Sequence, residues 1–173
     1  MPDPPEYVYE PQVLMTQQHA DSCLVKVGDP FPAAELPDLA GEKHSLESLF
    51  GQKLTVVVFW SNENLLGREQ IRRLEAEVVS PFKDAGLSVV AINIGDPADQ
   101  IRELFADDGE VDFTILLDEE KSLYSKVATE HHPRTYLLDA NGKILWLDIE
   151  YARGMARDLN NAIHVYLGLA KTG

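Results

Sequence analysis

Two short segments of the sequence carry side chains whose types and spacing are typical of reactive sites. The first is the polar loop from Ser61 to Asn64, which follows an apolar run and precedes a helical pattern. Many proteins present a reactive group on such a loop, but none of these four side chains is an obvious nucleophile. Ser61 has no paired base in the local sequence, so we predict no catalytic residue in the loop.

The second segment is the pair His131 and His132, which is followed by Pro133. A histidine can act as an acid, a base or a metal ligand near neutral pH. No second set of metal ligands is visible in the sequence, which favours two exposed or hydrogen-bonded loop residues. We therefore predict neither a bound metal nor a cofactor.

Cysteine chemistry is limited by the single cysteine, Cys23. One thiol excludes an intramolecular disulfide, a CxxC redox pair and a cysteine-rich zinc site. Cys23 could still act alone, as a peroxidatic thiol or in a mixed disulfide. Because it precedes the first predicted strand of the domain and lacks a helix N-terminus that would activate it, a tail cysteine without a role is the preferred interpretation.

The composition indicates one globular domain, with 45% hydrophobic and 25% charged residues in a chain of 173. A formal net charge of −14 argues against a nucleic-acid partner, because phosphate recognition needs clustered Lys and Arg. The acidic stretch between Asp96 and Glu120 is predicted to be solubilising surface. We expect no membrane span, and a cytoplasmic protein if the chain begins natively at Met1 or an extracytoplasmic one if a leader was removed.

Residues 1–24 are rich in proline and are predicted to form an irregular or extended tail, whereas residues 25–170 are predicted to form the domain. Strands and helices alternate in the domain, and an Asn141-Gly142 hairpin and an amphipathic helix close it. This order indicates an α/β fold with a central mixed sheet flanked by helices. Strands are predicted at 54–60, 87–94, 113–118, 135–138 and 144–148, and helices after the polar loop, at 98–106, at 121–127 and around Met155 to Tyr166.

Several segments in the same order resemble a known family. VGDPFP, PDLAGEKHSLESLFGQKLTVVVFW, LSVVAINI and HHPRTYLLDANGKILW are similar to the thioredoxin-like proteins of the TlpA/ResA type, which are related to the AhpC/TSA group. The resemblance covers roughly residues 25–167 and implies a thioredoxin-like fold with thiol-disulfide oxidoreductase activity. In active members the strand that ends in Phe-Trp leads to a W-C-x-x-C motif at a helix N-terminus, where the first thiol becomes nucleophilic.

This chain departs from that motif at both sulfur positions. Counting from Trp60, the first cysteine falls on Asn64 and the second on Gly67, and the T-x-x-C pattern of peroxiredoxins would also end on Asn64. Asparagine is among the best helix N-caps, so Asn64 is predicted to start the helix rather than to catalyse a reaction. The resemblance therefore implies a scaffold that has lost its dithiol chemistry.

Other positions of the motif indicate what the scaffold could do instead. Pro133 matches the cis-proline of the family, which lies beside the CxxC motif and offers backbone pairing to a partner's extended segment. Leu65 and Leu66 occupy the usually exposed positions between the two cysteines and would form an apolar bump there, unless the N-terminal tail covers them. We name the predicted binding surface the degenerate face, and it comprises Trp60, Asn64, Leu65, Leu66, Gly67, His132 and Pro133.

Two functional hypotheses follow from these residues. The first is a redox-inactive module that binds an unknown protein or peptide through the degenerate face. The second is an enzyme or metal-binding protein with non-thiol chemistry in the loop around Asn64 and His132. The second hypothesis requires a polar pocket in which the following groups converge: Ser61, Asn64, His131, His132 and Arg134.

Overall fold

The structure, a computed structural model, describes residues 7–106 and 111–168. A five-stranded mixed sheet forms its centre, in the order β5-β4-β3-β6-β7. The strands of this sheet are β3 (Leu54–Trp60), β4 (Leu87–Ile94), β5 (Thr114–Asp118), β6 (Arg134–Asp139) and β7 (Ile144–Ile149). A separate two-stranded sheet pairs β1 (Glu35–Pro37) with β2 (Lys43–Ser45), and the helices are α1 (Gln17–Asp21), α2 (Leu65–Leu74), α3 (Ala98–Ala106), α4 (Tyr124–Val127) and α5 (Arg153–Leu167).

Strand β3 is central because both of its faces are apolar, and every residue in it is buried. It pairs in parallel with β4 and antiparallel with β6. Its side chains alternate between two cores, since successive residues of a strand point to opposite faces. Val56, Val58 and Trp60 join the core beneath α2, α3 and α5, whereas Val57 and Phe59 join the core beneath α4 and the small sheet. The predicted mixed sheet between helical layers is confirmed.

The helix after the polar loop ends before Pro81. Regular α-helix spans Leu65–Leu74, and a π-helical turn continues it over Glu75–Val79. Proline lacks the backbone N–H that a continuing helix needs, so the chain turns here and reaches β4 through Gly86, whose φ of +81° is left-handed. The proline therefore ends this helix, and the widened last turn was not predicted.

The N-terminal tail is not wholly irregular. A five-residue helix, α1, spans Gln17–Asp21, and the hydroxyl of Thr16 caps it by accepting from the backbone N–H of His19 at 3.1 Å. The prediction of an irregular or extended tail is therefore wrong for these residues. A helix this short has too few apolar positions to show a period, so only its cap residue could have signalled it.

The predicted hairpin between β6 and β7 is confirmed. Asp139 accepts from the backbone N–H groups of Asn141 and Lys143, both at 2.9 Å, and Gly142 adopts a φ of +85°. A Cβ at Gly142 would lie 2.7 Å from the ring of Phe50, so both the conformation and the space require glycine. Within the part of the chain that the structure describes, no helix is long and apolar enough to cross a membrane.

Candidate functional site

Asn64 caps helix α2 as predicted. Its Oδ1 accepts from the backbone N–H groups of Leu66 at 2.9 Å and Gly67 at 3.2 Å, which would otherwise have no partner in the first turn. Its Nδ2 donates to the backbone carbonyl of His132 at 3.1 Å. One side chain thus starts the helix and holds it to the loop before β6. Both polar ends of the amide therefore have structural partners, as expected for a helix cap.

The peptide bond between His132 and Pro133 is cis, as the resemblance implies. The carbonyl of Pro133 accepts from the backbone N–H of Glu150 at 2.7 Å, and the carbonyl of His132 accepts from Asn64. Both carbonyls beside this bond therefore have partners within the chain. A partner segment that paired with this backbone would have to displace Asn64 or use the remaining N–H group of His132.

Gly67, at the second sulfur position, is buried and closely surrounded. A Cβ placed on it would lie 3.3 Å from the carbonyl oxygen of Ser61 and 3.5 Å from the Cβ of Trp60. These contacts are tight, so a side chain at this position requires the polar loop to move by a few tenths of an ångström. Glycine at position 67 allows the polar loop to pack closely against α2, whereas the side chain of a cysteine would push the loop away.

Leu65 and Leu66 are exposed, with 72% and 42% of their surface accessible. The described part of the tail lies elsewhere on the domain. Tyr9 exchanges backbone hydrogen bonds with the side chain of Asn161 in α5, and the carbonyl of Gln12 accepts from the indole of Trp146. Residues 7–15 therefore do not cover the apolar bump that the two leucines form.

Three members of the predicted degenerate face are not on the surface, and one of them is Pro133, which is buried just before β6. Trp60 has no accessible area, and its ring packs edge-to-face on Phe105 with centroids 6.0 Å apart. Gly67 is buried beneath the polar loop. The prediction that these three residues contact a partner is therefore wrong, and for Trp60 the reason is that the alternation of β3 turns it into the core beneath α2 and α3. From here we use "exposed face" for the members that solvent reaches: Asn64, Leu65, Leu66 and His132.

His132 is half-buried beside this face. Its Nδ1 is buried without a hydrogen-bond partner among the described residues. Burial lowers the pKa of His132, and the positive charge of Lys121 lowers it further, while the carboxylate of Asp96 opposes the shift. The imidazole is therefore neutral at neutral pH. His131 lies apart from it, with its ring edge-to-face against His19 at 5.0 Å.

Asp96 is a buried carboxylate next to the polar loop. It is 4% exposed, and its Oδ2 accepts from the backbone N–H of Asn62 at 2.7 Å and from the side chain of Asn93 at 2.8 Å. The hydroxyl of Ser61 lies 3.3 Å from the same oxygen. Asp96 thus fixes the loop that leads to α2, and Ser61 faces a carboxylate rather than a histidine.

The predicted solubilising surface between Asp96 and Glu120 is therefore wrong at two positions. Asp118, the last residue of β5, is also buried and accepts from the backbone N–H groups of Leu123 and Tyr124. Both aspartates stand at the carboxyl ends of neighbouring parallel strands, and that placement was the signal available in the sequence. Residues 107–110, which contribute Asp107, Asp108 and Glu110 to the stretch, lie outside the described residues.

Arg134 belongs to a different part of the molecule. It is completely buried and donates to the carbonyls of His131 and Glu130 at 2.7 and 2.6 Å, and to the hydroxyl of Ser22. Its Nη1 also lies 3.4 Å from the sulfur of Cys23. Its hydrogen bonds join β6 to the tail, so the polar pocket that the second hypothesis requires does not form: Ser61 faces Asp96, and Arg134 faces the tail.

Among residues 7–106 and 111–168, one group of side chains could hold a metal ion, and it lies at the small sheet rather than at the predicted site. Asp38, Glu42 and His44 each bring one ligand atom within 4.8 Å of the others, at the turn between β1 and β2. Asp38 already accepts from two backbone N–H groups and lies 2.8 Å from the imidazole of His44. The hydrogen bond to His44 lowers the pKa of Asp38. The hydrogen bonds of the turn are sufficient to explain why these side chains lie close together.

Comparison with known proteins places this geometry in a family. The profile of the AhpC/TSA family matches residues 27–147. Thiol-disulfide oxidoreductase ResA of Geobacillus kaustophilus is 26% identical over 131 residues, which cover 76% of this chain and 74% of that protein. Peroxiredoxin Bcp of Escherichia coli K12 is 30% identical over 132 residues, covering 69% of this chain and 83% of that protein.

Solved structures agree on the fold. The thioredoxin domain of a thiol-disulfide oxidoreductase from Bacteroides vulgatus superposes with a TM-score of 0.65 at 21% identity, over 83% of this chain and 99% of that domain. At this identity the likeness shows a shared thioredoxin-like fold and nothing about activity. The fold and relatives agree with the resemblance, while Asn64 and Gly67 stand where the dithiol motif would lie.

Proposed function

Because this chain belongs to the AhpC/TSA family but has no thiol at Asn64 or Gly67, we propose that it is a redox-inactive thioredoxin-like module that binds a protein or peptide. The proposed contact surface is the exposed face. Dithiol exchange needs an attacking thiolate and a second sulfur that resolves the mixed disulfide, and neither position supplies one. The only thiol, Cys23, belongs to the segment before β1 rather than to this loop.

The observation that carries the proposal is that the first sulfur position holds an amide whose oxygen and nitrogen both form hydrogen bonds within the chain. Asn64 satisfies the first turn of α2 and the carbonyl of His132 at once. This arrangement keeps the loop and the helix in place without a reactive atom. A retained scaffold around an unreactive centre favours recognition over catalysis.

The apolar surface beside that centre supports a peptide or protein partner. Leu65 and Leu66 are exposed next to each other at the start of α2, and neither is covered by residues 7–15. Single exposed leucines are common on proteins, but an adjacent apolar pair at the start of a helix offers a larger contact surface. An extended partner segment with an apolar side chain would contact both leucines through that side chain. Its backbone would pair with the remaining N–H group of His132.

Redox inactivity can be tested by turnover. Purified protein should reduce neither insulin nor a model disulfide in the presence of dithiothreitol, with a dithiol thioredoxin as the positive control. A Cys23→Ser variant should give the same result, because that thiol is not part of the proposed surface. Turnover above the dithiothreitol background that Cys23→Ser leaves intact would contradict the proposal.

Peptide binding can be tested by selection from a displayed peptide library. Peptides selected on the wild type should lose binding to a Leu65→Glu/Leu66→Glu variant. A matched control is Leu24→Glu/Val27→Glu, since Leu24 and Val27 are also exposed, at 54% and 45%, but lie in the segment before β1. Failure to select any peptide, or equal loss of binding in both double variants, would contradict the assignment of the exposed face.

A further inference from the structure

Lys121 is an exposed lysine at the same edge of the central sheet as the exposed face. Strands β3, β4 and β5 are parallel, so their carboxyl ends and the loops that follow them lie at one edge. Strand β6 is antiparallel to β3 and begins at that edge, directly after His132 and Pro133. Lys121 follows the end of β5, whereas residues 107–110, which the structure does not describe, precede its beginning.

The backbone of Lys121 is held in a conformation that is uncommon for its residue type. Its φ of +58° lies in the left-handed region, which residues with a long side chain rarely adopt. The N–H of Lys121 donates to the carbonyl of Asp118 at 3.0 Å, and its carbonyl accepts from the backbone N–H of Ser125 at 2.9 Å. Such strain persists only where the surroundings fix it, and it is frequent at binding sites. The turn therefore fixes the direction in which the lysine side chain leaves the backbone.

The side chain of Lys121 lies against Gly95, just after β4. A Cβ placed on Gly95 would lie 2.7 Å from Cε and 3.5 Å from Nζ of the lysine, so a larger residue there would displace the ammonium group. The next residue, Asp96, anchors the polar loop before α2. Within residues 7–106 and 111–168, Lys121 forms no ion pair, not even with Asp96. Its charge is therefore open to a group from outside this part of the chain.

Lys121 is also the dominant exposed charge beside His132. Burial lowers the pKa of His132 most, and among the surrounding charges that of Lys121 acts most strongly, while Asp96 and Glu63 oppose the shift. Asp96 is buried and hydrogen-bonded to the polar loop, so a partner cannot reach it. Glu63 is exposed but acts on His132 less strongly than Lys121 does. The positive end of α2 lies at the same face, so a partner meets mainly positive charge there.

We propose that the partner of the exposed face is an extended peptide segment with an Asp or Glu that pairs with Lys121, close to the apolar side chain that contacts Leu65 and Leu66. This inference rests on the proposed function and adds the charge of the partner to it. The segment is extended because its backbone pairs with the N–H of His132, so the acidic and the apolar residue stand at one fixed spacing. The net charge of −14 does not prevent such binding, because charges more than about 10 Å away are largely screened at an ionic strength of about 0.1 M.

Selection from a displayed library of random peptides tests the charge of the partner. Peptides selected on the wild type should be enriched in Asp and Glu at a fixed spacing from an apolar residue. The tightest of them is then compared by calorimetry with a copy in which Asn and Gln replace Asp and Glu. The acidic peptide should bind about fivefold more tightly, as expected for one partly exposed charge pair. Raising the NaCl concentration from about 50 to about 500 mM should remove most of this difference.

Variants of Lys121 assign the effect to this residue. Lys121→Gln should weaken binding of the acidic peptide by about fivefold and leave the amide copy unchanged, whereas Lys121→Arg should keep the preference. Lys143→Gln is the matched control, because Lys143 is an exposed lysine in the β6–β7 hairpin, at the opposite end of β6 from His132. Lys121→Glu should bind a copy with lysine in place of the acidic residues more tightly than the acidic peptide. A purely structural role of Lys121 would not produce that reversal.

Two results would overturn this inference and leave the proposed function intact. One is a set of selected peptides whose binding depends on Leu65 and Leu66 but is the same for the wild type and Lys121→Gln. The other is enrichment of Lys and Arg, which would make Glu63 the charge that the partner contacts. Failure of folded wild-type protein to select any peptide would overturn both proposals. The comparison of the acidic peptide with its amide copy uses the wild type and does not depend on the folding of any variant.

Discussion

The side-chain amide of Asn64 joins the start of α2 to the backbone of His132, with Nδ2 3.1 Å from the carbonyl oxygen. The same amide caps the helix through Oδ1. In relatives with a dithiol motif this position holds the attacking sulfur. Here a residue that cannot exchange electrons carries out two structural tasks at that point.

Substitution of Asn64 should separate these two tasks. Asn64→Ala removes both and is expected to lower the free energy of unfolding by about 1–3 kcal/mol, whereas Asn64→Asp keeps an N-cap acceptor but cannot donate to His132. The loss for the aspartate should therefore be smaller, and chemical denaturation measures both. Thr16→Ala, which removes the cap of the short helix α1, is a control for capping alone. Equal losses for the two Asn64 variants would mean that the cap contributes nothing, and an Asn64→Asp variant as stable as the wild type would mean that the bond to His132 contributes nothing.

Restoring the two sulfurs should restore part of the redox chemistry. In a Cys23→Ser background, Asn64→Cys/Gly67→Cys is expected to form an intramolecular disulfide and to reduce insulin above background, because the helix N-terminus favours a thiolate at position 64. The double variant should also be less stable than the wild type, since a Cβ at position 67 lies 3.3 Å from the carbonyl of Ser61. Mass spectrometry and an insulin assay measure these outcomes.

The single variant Asn64→Cys in the same background is the matched control, because it has a thiol but no resolving sulfur. It should form mixed disulfides without turnover. A folded double variant with two free thiols under oxidising conditions would show that the loop no longer has the geometry of a dithiol site.

Asp148 should make stability fall as the pH rises. Burial raises its pKa from 3.8 to about 6. The native state therefore binds more protons than the unfolded state between about pH 4 and pH 6, so the carboxyl destabilises the fold progressively across that window and fully above it. Asp148→Asn avoids this ionisation and should be more stable than the wild type by about 1 kcal/mol near pH 7.

Urea unfolding of the wild type and of Asp148→Asn at several pH values measures this difference. The gap between the two should shrink towards pH 4 and close below about pH 3, where the carboxyl is protonated in both states. Glu120→Gln, at an exposed position after β5 that does not contribute to the pKa shift of Asp148, is the control for a simple change of net charge. A difference that stays constant from about pH 4 to pH 7 would exclude ionisation of Asp148 as its cause.

Arg134 should be one of the residues on which stability depends most. The guanidinium is completely buried and its hydrogen bonds go to two carbonyls and the hydroxyl of Ser22, so truncation leaves these partners unsatisfied. Arg134→Met is expected to lower the free energy of unfolding by about 3 kcal/mol or more. Arg134→Lys should recover only part of this, because an ammonium cannot reach the same set of acceptors.

The exposed Arg153→Ala variant should be nearly neutral in the same denaturation experiment. If Arg134→Met were as stable as Arg153→Ala, the bonds between β6 and the segment around Ser22 would not contribute to folding. Far-UV circular dichroism of Arg134→Met distinguishes local loosening of the tail from loss of the whole fold.

The strands and the site loop could be predicted because their signals are local. The run from Leu54 to Trp60 is apolar on both faces, Asn141-Gly142 marks a hairpin, and Asn64 precedes a helical pattern by one residue. The exposure of Leu65 and Leu66 also agreed with the prediction. Each of these features depends on neighbouring residues or on a strand's own period.

Other features could not be read locally because they depend on which elements meet. The sequence alone determined the order of strands and helices, the helix cap at Asn64 and the absence of a second thiol, because each is set by neighbouring residues or by counting. Only the tertiary structure decided that Trp60 is buried, that Asp96 is a buried anchor rather than surface, and that Arg134 turns away from Ser61. Those placements depend on packing between segments far apart in the chain, where burial and hydrogen-bond partners are set by three-dimensional proximity.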